Sequence, residues 1–235
     1  MFTLLWLTLV TGSLIYNRKH LPQDYKDSKF LRSNLRLKHF GIGFISVASV
    51  MIVATLLFTY VPILRFGWLT WIANQGSETQ VGETVESSSY MWVVIIVMLL
   101  IFSVFLPKLA YLEEEIFRKP TLWESTSARA LQSLKFGLIH LTMGIPIAAA
   151  FALSVGGAIF SATATKTAHK TLKPLQESVS HLDSDIKQEH NITEESFIKV
   201  AEEKAITESA LVHTAHNYII VAILLVSSVA MIVGT

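Results

Sequence analysis

Apolar residues gather in long blocks along this chain, at residues 1–16, 40–64, 90–106, 136–165 and 210–233. The longer blocks approach or exceed the ~20 residues a helix needs to cross a bilayer. They predict membrane helices, because in lipid each segment must satisfy its own backbone polar groups. The first block has no basic segment before it and no small-residue cleavage pattern after it, so it reads as a retained short helix. Residues 122–141 are mixed. Arg129, Gln132 and Lys135 interrupt an apolar face there, which predicts a helix packed inside the bundle with its charges in polar surroundings. Pro107 and Pro120 are expected to end or kink helices.

Residues 167–209 form the one sizeable polar insertion. Leu172, Leu175, Val179, Leu182 and Ile186 recur at spacings of three and four, an apolar helical stripe. Asn191 followed by Glu194 marks the start of a second helix, with Phe197, Val200, Ala201 and Ala205 on its apolar side. A helical hairpin outside the membrane plane fits this pattern. Asn191-Ile192-Thr193 matches a glycosylation sequon, a short pattern that often arises by chance. His169, His181 and His190 lie in this polar stretch and read as solvated. The expected fold is all-α. It is a single integral membrane domain over residues 1–235, a bundle of about six or seven helices with one extramembrane helical hairpin at 167–209.

Composition agrees. The chain is 51% hydrophobic and only 16% charged, against about 25% charged in soluble domains. A net charge of +1 gives no reason to expect a nucleic-acid partner. The absence of cysteine excludes disulfides, thiolate catalysis and Cys-based zinc sites. The connection 17–39 carries Arg18, Lys19, Lys26, Lys29, Arg32, Arg36 and Lys38. The connection 65–89 carries only Arg65 beside Glu78, Glu83 and Glu86. The positive-inside rule puts the first in the cytoplasm and the second outside. Residues 108–119 then return to the cytoplasmic side, in a bacterial inner membrane or an equivalent one.

Three polar clusters stand in or beside the apolar helices: Glu113-Glu114-Glu115-Ile116-Phe117-Arg118, Phe136 to His140, and His213 to Asn217. Ionisable groups at membrane depth are costly and tend to be paired and functional. Glu114 and Arg118 are four apart and share a helix face, so they can pair, while Glu113 is offset by about 100° and can face a water. Crowded carboxylates suit general acid and base work. The same cluster alone also fits a charged juxtamembrane cap. His140 alone equally fits an interhelical hydrogen-bonding group. His213 and Asn217, with His216 on the same side, fit either an oxyanion site or the polar opening of an interfacial helix.

Together and in this order, the three clusters resemble the CPBP intramembrane proteases, the family of CAAX endopeptidases and bacteriocin-processing relatives. That family carries EExxxR, then FxxxH, then HxxxN or HxxxD. Here the motif-bearing, protease-like core covers 107–220. The resemblance implies that Glu113 activates water, Glu114 assists, and Arg118 orients the pair. It implies that His140 holds the water or polarises the scissile carbonyl, and that His213 and Asn217 bind the oxyanion. It leaves open whether a zinc ion is used or the mechanism is metal-free. Lys119 replaces the glycine usual after Phe-Arg, Pro120 follows it, the 113–140 interval is short, and the 167–209 insertion is long. Strict alternation of spans would also place His213 across the membrane from Glu113. The site closes only if 136–165 is not one straight crossing, and Gly144, Pro146 and Gly156-Gly157 are places for a break.

The expected activity is intramembrane endopeptidase. Its partners are membrane lipid and a membrane-associated peptide or lipidated protein substrate. One alternative is a non-catalytic relative acting as a chaperone, an immunity factor or a subunit of a membrane complex. A second is a proton or ion pathway. The mid-membrane stretches 45–58 and 91–105 hold only scattered Ser and Thr, which opposes a pathway.

Overall fold

The computed structural model describes residues 21–67, 89–180 and 193–233. The expected first helix at 1–16, most of the acidic connection 65–89, the sequon with its Asn191 helix start, and the stripe positions Leu182 and Ile186 lie outside the described residues. So do His181 and His190. Within them the chain forms six α-helices: α1 (Leu21–Ser33), α2 (Leu37–Tyr60), α3 (Ser89–Phe117), α4 (Thr126–Ile139), α5 (Ile147–Ser180) and α6 (Glu194–Val233). Short 3-10 turns sit at Pro62–Arg65, Lys119–Thr121 and His140–Met143. No strand occurs among the described residues.

Four stretches are long and apolar enough to cross a membrane: Leu37–Tyr60, Trp92–Thr121, Ile147–Val179 and Glu194–Ala230. Their environments differ. Only 22% of the α2 window and 17% of the α3 window are buried, against 44% in α5 and α6. Phe44, Ile52, Ile101 and Phe102 stand exposed on the two outer helices. In water such faces would be a liability; in lipid they are the expected boundary, and the chain reads as a helical membrane protein.

α6 is the central helix, packed by α2, α3 and α5, with α4 on α5 and α1 on α3. The interior is built largely from small residues. Ala148, Ala150, Ala152, Ala164, Ala168, Ala201, Ala205, Ala210 and Ala215 are all buried. Lipid tails are as apolar as a leucine side chain, so helices associate by close backbone approach and interhelical hydrogen bonds. The tightest approach is at Gly137. A Cβ there would lie 2.2 Å from the Ala150 carbonyl oxygen and 2.2 Å from Ser154 Oγ.

The stretch 136–165 is not a single crossing. α4 stops at Ile139, and Gly144 adopts φ 83, the left-handed region that a side chain disfavours. Pro146 then precedes α5. The first free N–H of α5, at Ile147, donates to the Phe66 carbonyl oxygen at 3.0 Å. α5 therefore folds back along α4, with Gly137 beside Ala150 and Ser154 and Gly157 beside Ser133. Gly144 and Pro146 are the break, whereas Gly156 and Gly157 sit within the continuous helix α5.

Pro107 does not end its helix, because α3 continues through it. Proline lacks the N–H that would bond the carbonyl of residue 103. Tyr218 on α6 supplies a replacement: its hydroxyl donates to the Ser103 oxygen at 3.2 Å. Pro120 does interrupt, within the 3-10 turn between α3 and α4. The polar stretch 167–209 is continuous with its neighbours, since α5 runs on to Ser180 and α6 begins at Glu194. Their polar ends still pack. Leu122, Ala164, Ala168 and Ala205 form one buried cluster. Trp123 Nε1 donates to Glu202 Oε1 at 2.8 Å, and its ring meets His169 edge-on at 5.6 Å.

Candidate functional site

The three polar clusters meet where α3, α4, α5 and α6 converge. Glu114, on the last turn of α3, is fully buried. Ser209 Oγ donates to its Oε2 at 2.5 Å, and His213 Nδ1 lies 3.0 Å from its Oε1. Arg118, one turn on, places Nε 3.5 Å from Oε2. The expected i, i+4 pair therefore forms, and it forms in the interior. The Arg118 guanidinium is closed off from solvent, with its carbon 4.5 Å from the centre of the Phe136 ring. None of its nitrogens meets a hydrogen-bond partner among the described residues, so the ion pair and the aromatic face carry the charge.

Glu113 turns away from its neighbour, as the helical offset predicts. It is partly exposed and lies 3.5 Å from His213 Nε2. His213 thus stands between two carboxylates. An ionised carboxylate only accepts, so the hydrogen on Nδ1 is given to Glu114. Nε2 is left facing Glu113. The ring is held flat against Phe160 at 4.4 Å and edge-on to Phe136 at 5.6 Å.

His140 stands in the 3-10 turn after α4, with Nδ1 2.8 Å from the Phe136 carbonyl oxygen. A carbonyl only accepts, so Nδ1 is the donor and Nε2 carries the lone pair. Ring packing on Phe136 at 5.0 Å fixes its orientation. A cavity of about 160 Å³ is lined by His140, His213, His216 and Asn217 together with Phe136 and Phe160. The Asn217 side chain makes no hydrogen bond among the described residues, and it is partly exposed. His216 is buried, with Nδ1 3.0 Å from Ser46 Oγ on α2.

All six residues singled out in the sequence therefore fall in one region, with His213 joining Glu113 to Glu114 and the cavity joining His213 to His140 and Asn217. The alternation of spans does not separate them, because α4 and α5 form an up-and-back pair and α6 enters from the end where α3 finishes. Ser209, Phe160, Ser46 and His216 complete the site. Only His216 carried a signal, its nearness to His213 in sequence. A serine or phenylalanine in an apolar helix looks like packing until its neighbours are known.

A second polar group stands nearby on α2 and α6. The Arg36 N–H donates to His39 Nδ1 at 2.9 Å, so Nε2 carries the hydrogen and donates to Glu208 Oε1 at 3.2 Å. Lys38 pairs with the same carboxylate.

Among the described residues no three His, Asp or Glu side chains converge to hold a metal. His213 shows why: its two nitrogens face different carboxylates, so the ring separates Glu113 from Glu114 instead of joining them around one point. This donor set does not fit a zinc ion. Comparison with known proteins finds no matching family model, no matching curated protein and no matching solved structure.

Proposed function

We propose that this chain is an intramembrane endopeptidase related to the CPBP proteases, hydrolysing a peptide bond of a membrane-associated or lipidated peptide. The observation that supports this reading is His213 held between Glu113 and Glu114 at 3.5 and 3.0 Å, on the wall of a cavity shared with His140 and Asn217. Carboxylate-oriented imidazole beside a second carboxylate is a proton-transfer unit. Glu114 orients His213 through Nδ1. A water in the cavity gives its proton to Nε2 or to Glu113, and the hydroxide attacks the scissile carbonyl carbon. His140, with a lone pair on Nε2, accepts a hydrogen bond from the water and so positions it. The Asn217 carboxamide donates to the oxyanion. The proton then passes to the leaving nitrogen as the C–N bond breaks. His213 thereby acts as a base rather than as the oxyanion donor that the family resemblance implies.

In this reading the site faces the cytoplasm of a bacterial inner membrane, and the polar ends of α5 and α6 stand outside the bilayer as the two arms of a hairpin. A second reading, a non-catalytic relative serving as a chaperone, immunity factor or complex subunit, is favoured by one observation. Both oxygens of Glu114 and both nitrogens of His213 are already engaged, as in a structural lock.

The deciding experiment uses purified protein in liposomes with a library of membrane-associated and lipidated peptides. Glu113→Gln is expected to lower cleavage by about 10²–10⁴, and Asn217→Ala by about 10²–10³, while both stay folded and chelator changes nothing. Cleavage that survives both substitutions rejects the assignment. Absence of cleavage, with variants that still support the cellular phenotype, establishes the non-catalytic reading.

A further inference from the structure

A cleft of about 430 Å³ runs between α4 and α5, on the side of these helices away from the histidines. Its walls pair antiparallel positions: Ser133 with Ala158, Ala130 with Ser161 and Ala162, and Thr126 and Arg129 with Thr165 and Lys166. Seven helical steps from Thr126 to Ser133 span about 10 Å. The end away from Arg129 and Lys166 is lined by the small residues Ala130, Ser133, Ala158 and Ala162. The mouth carries two cations.

Neither cation is neutralised. Arg129 donates to the Glu124 carbonyl oxygen and to Thr126 Oγ1, both uncharged. Lys166 is exposed and makes no ion pair among the described residues. Inside the cleft, Ser161 is 7% exposed and its hydroxyl has no partner among the described residues, whereas Ser133 and Thr163 on the same two helices bond back to a carbonyl four residues earlier. Thr165 Oγ1 on the same face is also buried and unpartnered. Trp123, half-exposed beside His169 and Glu202, stands at the same end of these helices. Tryptophan collects at headgroup level, so the mouth lies where phosphates lie and the alanines lie deeper.

A second transmembrane helix fits this shape poorly, since it would bury Arg129 and Lys166 without a counter-charge. A phospholipid supplies what the cleft lacks. Its phosphate neutralises the cations, its ester oxygens accept from buried hydroxyls, and its acyl chain covers the small residues. We propose that this cleft binds one anionic phospholipid, with the phosphate between Arg129 and Lys166 and a chain along Ala130, Ala158 and Ala162.

The test is native mass spectrometry of the full chain released from nanodiscs of equal dioleoyl-phosphatidylglycerol and dioleoyl-phosphatidylcholine. Wild type is expected to retain one lipid, with anionic over zwitterionic preference on the order of thirtyfold for two cations at the surface. Arg129→Gln/Lys166→Gln should abolish the preference, and Lys166→Gln alone should reduce it roughly fivefold. Ala158→Leu/Ala162→Leu should expel lipid of either headgroup. Lys26→Gln/Lys29→Gln, which removes two charges from α1, should leave the preference intact. Equal retention of both lipids by wild type, or equal loss in the α1 variant, overturns the proposal. So does displacement by millimolar inorganic phosphate alone, which would make the mouth a free-anion site. A change in oligomer mass in the leucine variant with lipid retained overturns it in favour of a helix partner.

Discussion

Replacing Glu114 by Gln keeps the volume of the side chain and removes its charge, so it isolates what the buried carboxylate contributes. Two donors approach different oxygens, Ser209 Oγ at Oε2 and His213 Nδ1 at Oε1. A Gln amide offers one acceptor, so whichever way it turns its NH2 meets a donor. Ser209 has an escape, because its hydroxyl also reaches the Phe160 carbonyl oxygen at 3.0 Å. The amide nitrogen therefore settles on that side, which is also the side facing Arg118 Nε at 3.5 Å. Arg118 is then a buried cation with no counter-charge. Breaking a buried pair from one side costs about 3–5 kcal/mol, and a lost hydrogen bond to a charged group about 1.5–3 kcal/mol. The two overlap, and the expected loss is about 4 kcal/mol. Arg118→Met alone leaves Glu114 its two donors, so it should cost less, about 2–3 kcal/mol. The double variant should be more stable than the sum of the single losses by about 2 kcal/mol. The assay is reversible unfolding in mixed micelles with increasing dodecyl sulfate, followed by circular dichroism and tryptophan fluorescence. A Glu114→Gln protein within about 1 kcal/mol of wild type, or strictly additive losses, would show that the buried Glu114–Arg118 pair does not stabilise the bundle.

Two further substitutions test the packing. Gly137→Ala places a methyl 2.2 Å from the Ala150 oxygen and 2.7 Å from the Ser154 nitrogen, backbone atoms that cannot turn aside. It should cost about 3 kcal/mol or more in the same titration, whereas Gly41→Ala, with nothing within 4 Å, should be neutral or stabilising. Tyr218→Phe removes the donor that serves the Ser103 carbonyl opposite Pro107 and should cost about 1 kcal/mol. In a Pro107→Ala background the residue 107 N–H takes that carbonyl back, and an undiminished cost there would refute the account.

The membrane class, the helical content and the three polar clusters were legible in the sequence, each for a local reason. Apolar block length decides whether a helix can span a bilayer. The four-residue spacing of Glu114 and Arg118 decides that they share a face, and their pair forms as that spacing predicts. The offset of Glu113 likewise decides that it points elsewhere. That α3 continues past Pro107 was not legible, because proline's missing N–H is a local fact, while the hydroxyl that serves the Ser103 carbonyl arrives from Tyr218, 111 residues beyond the proline. Ser209, Phe160 and Ser46 were not legible at all, since what each touches depends on which helices meet.

The sequence by itself determined that this chain forms apolar helices carrying a small set of ionisable groups, because helix periodicity and hydropathy act over a few residues. Tertiary structure alone decided that those groups share one site. The turn at Gly144 and Pro146 sends α5 back along α4 and brings α6 in beside the end of α3. Tertiary structure also decided what His213 faces there, Glu114 at Nδ1 and Glu113 at Nε2, neighbours that lie about a hundred residues away in sequence.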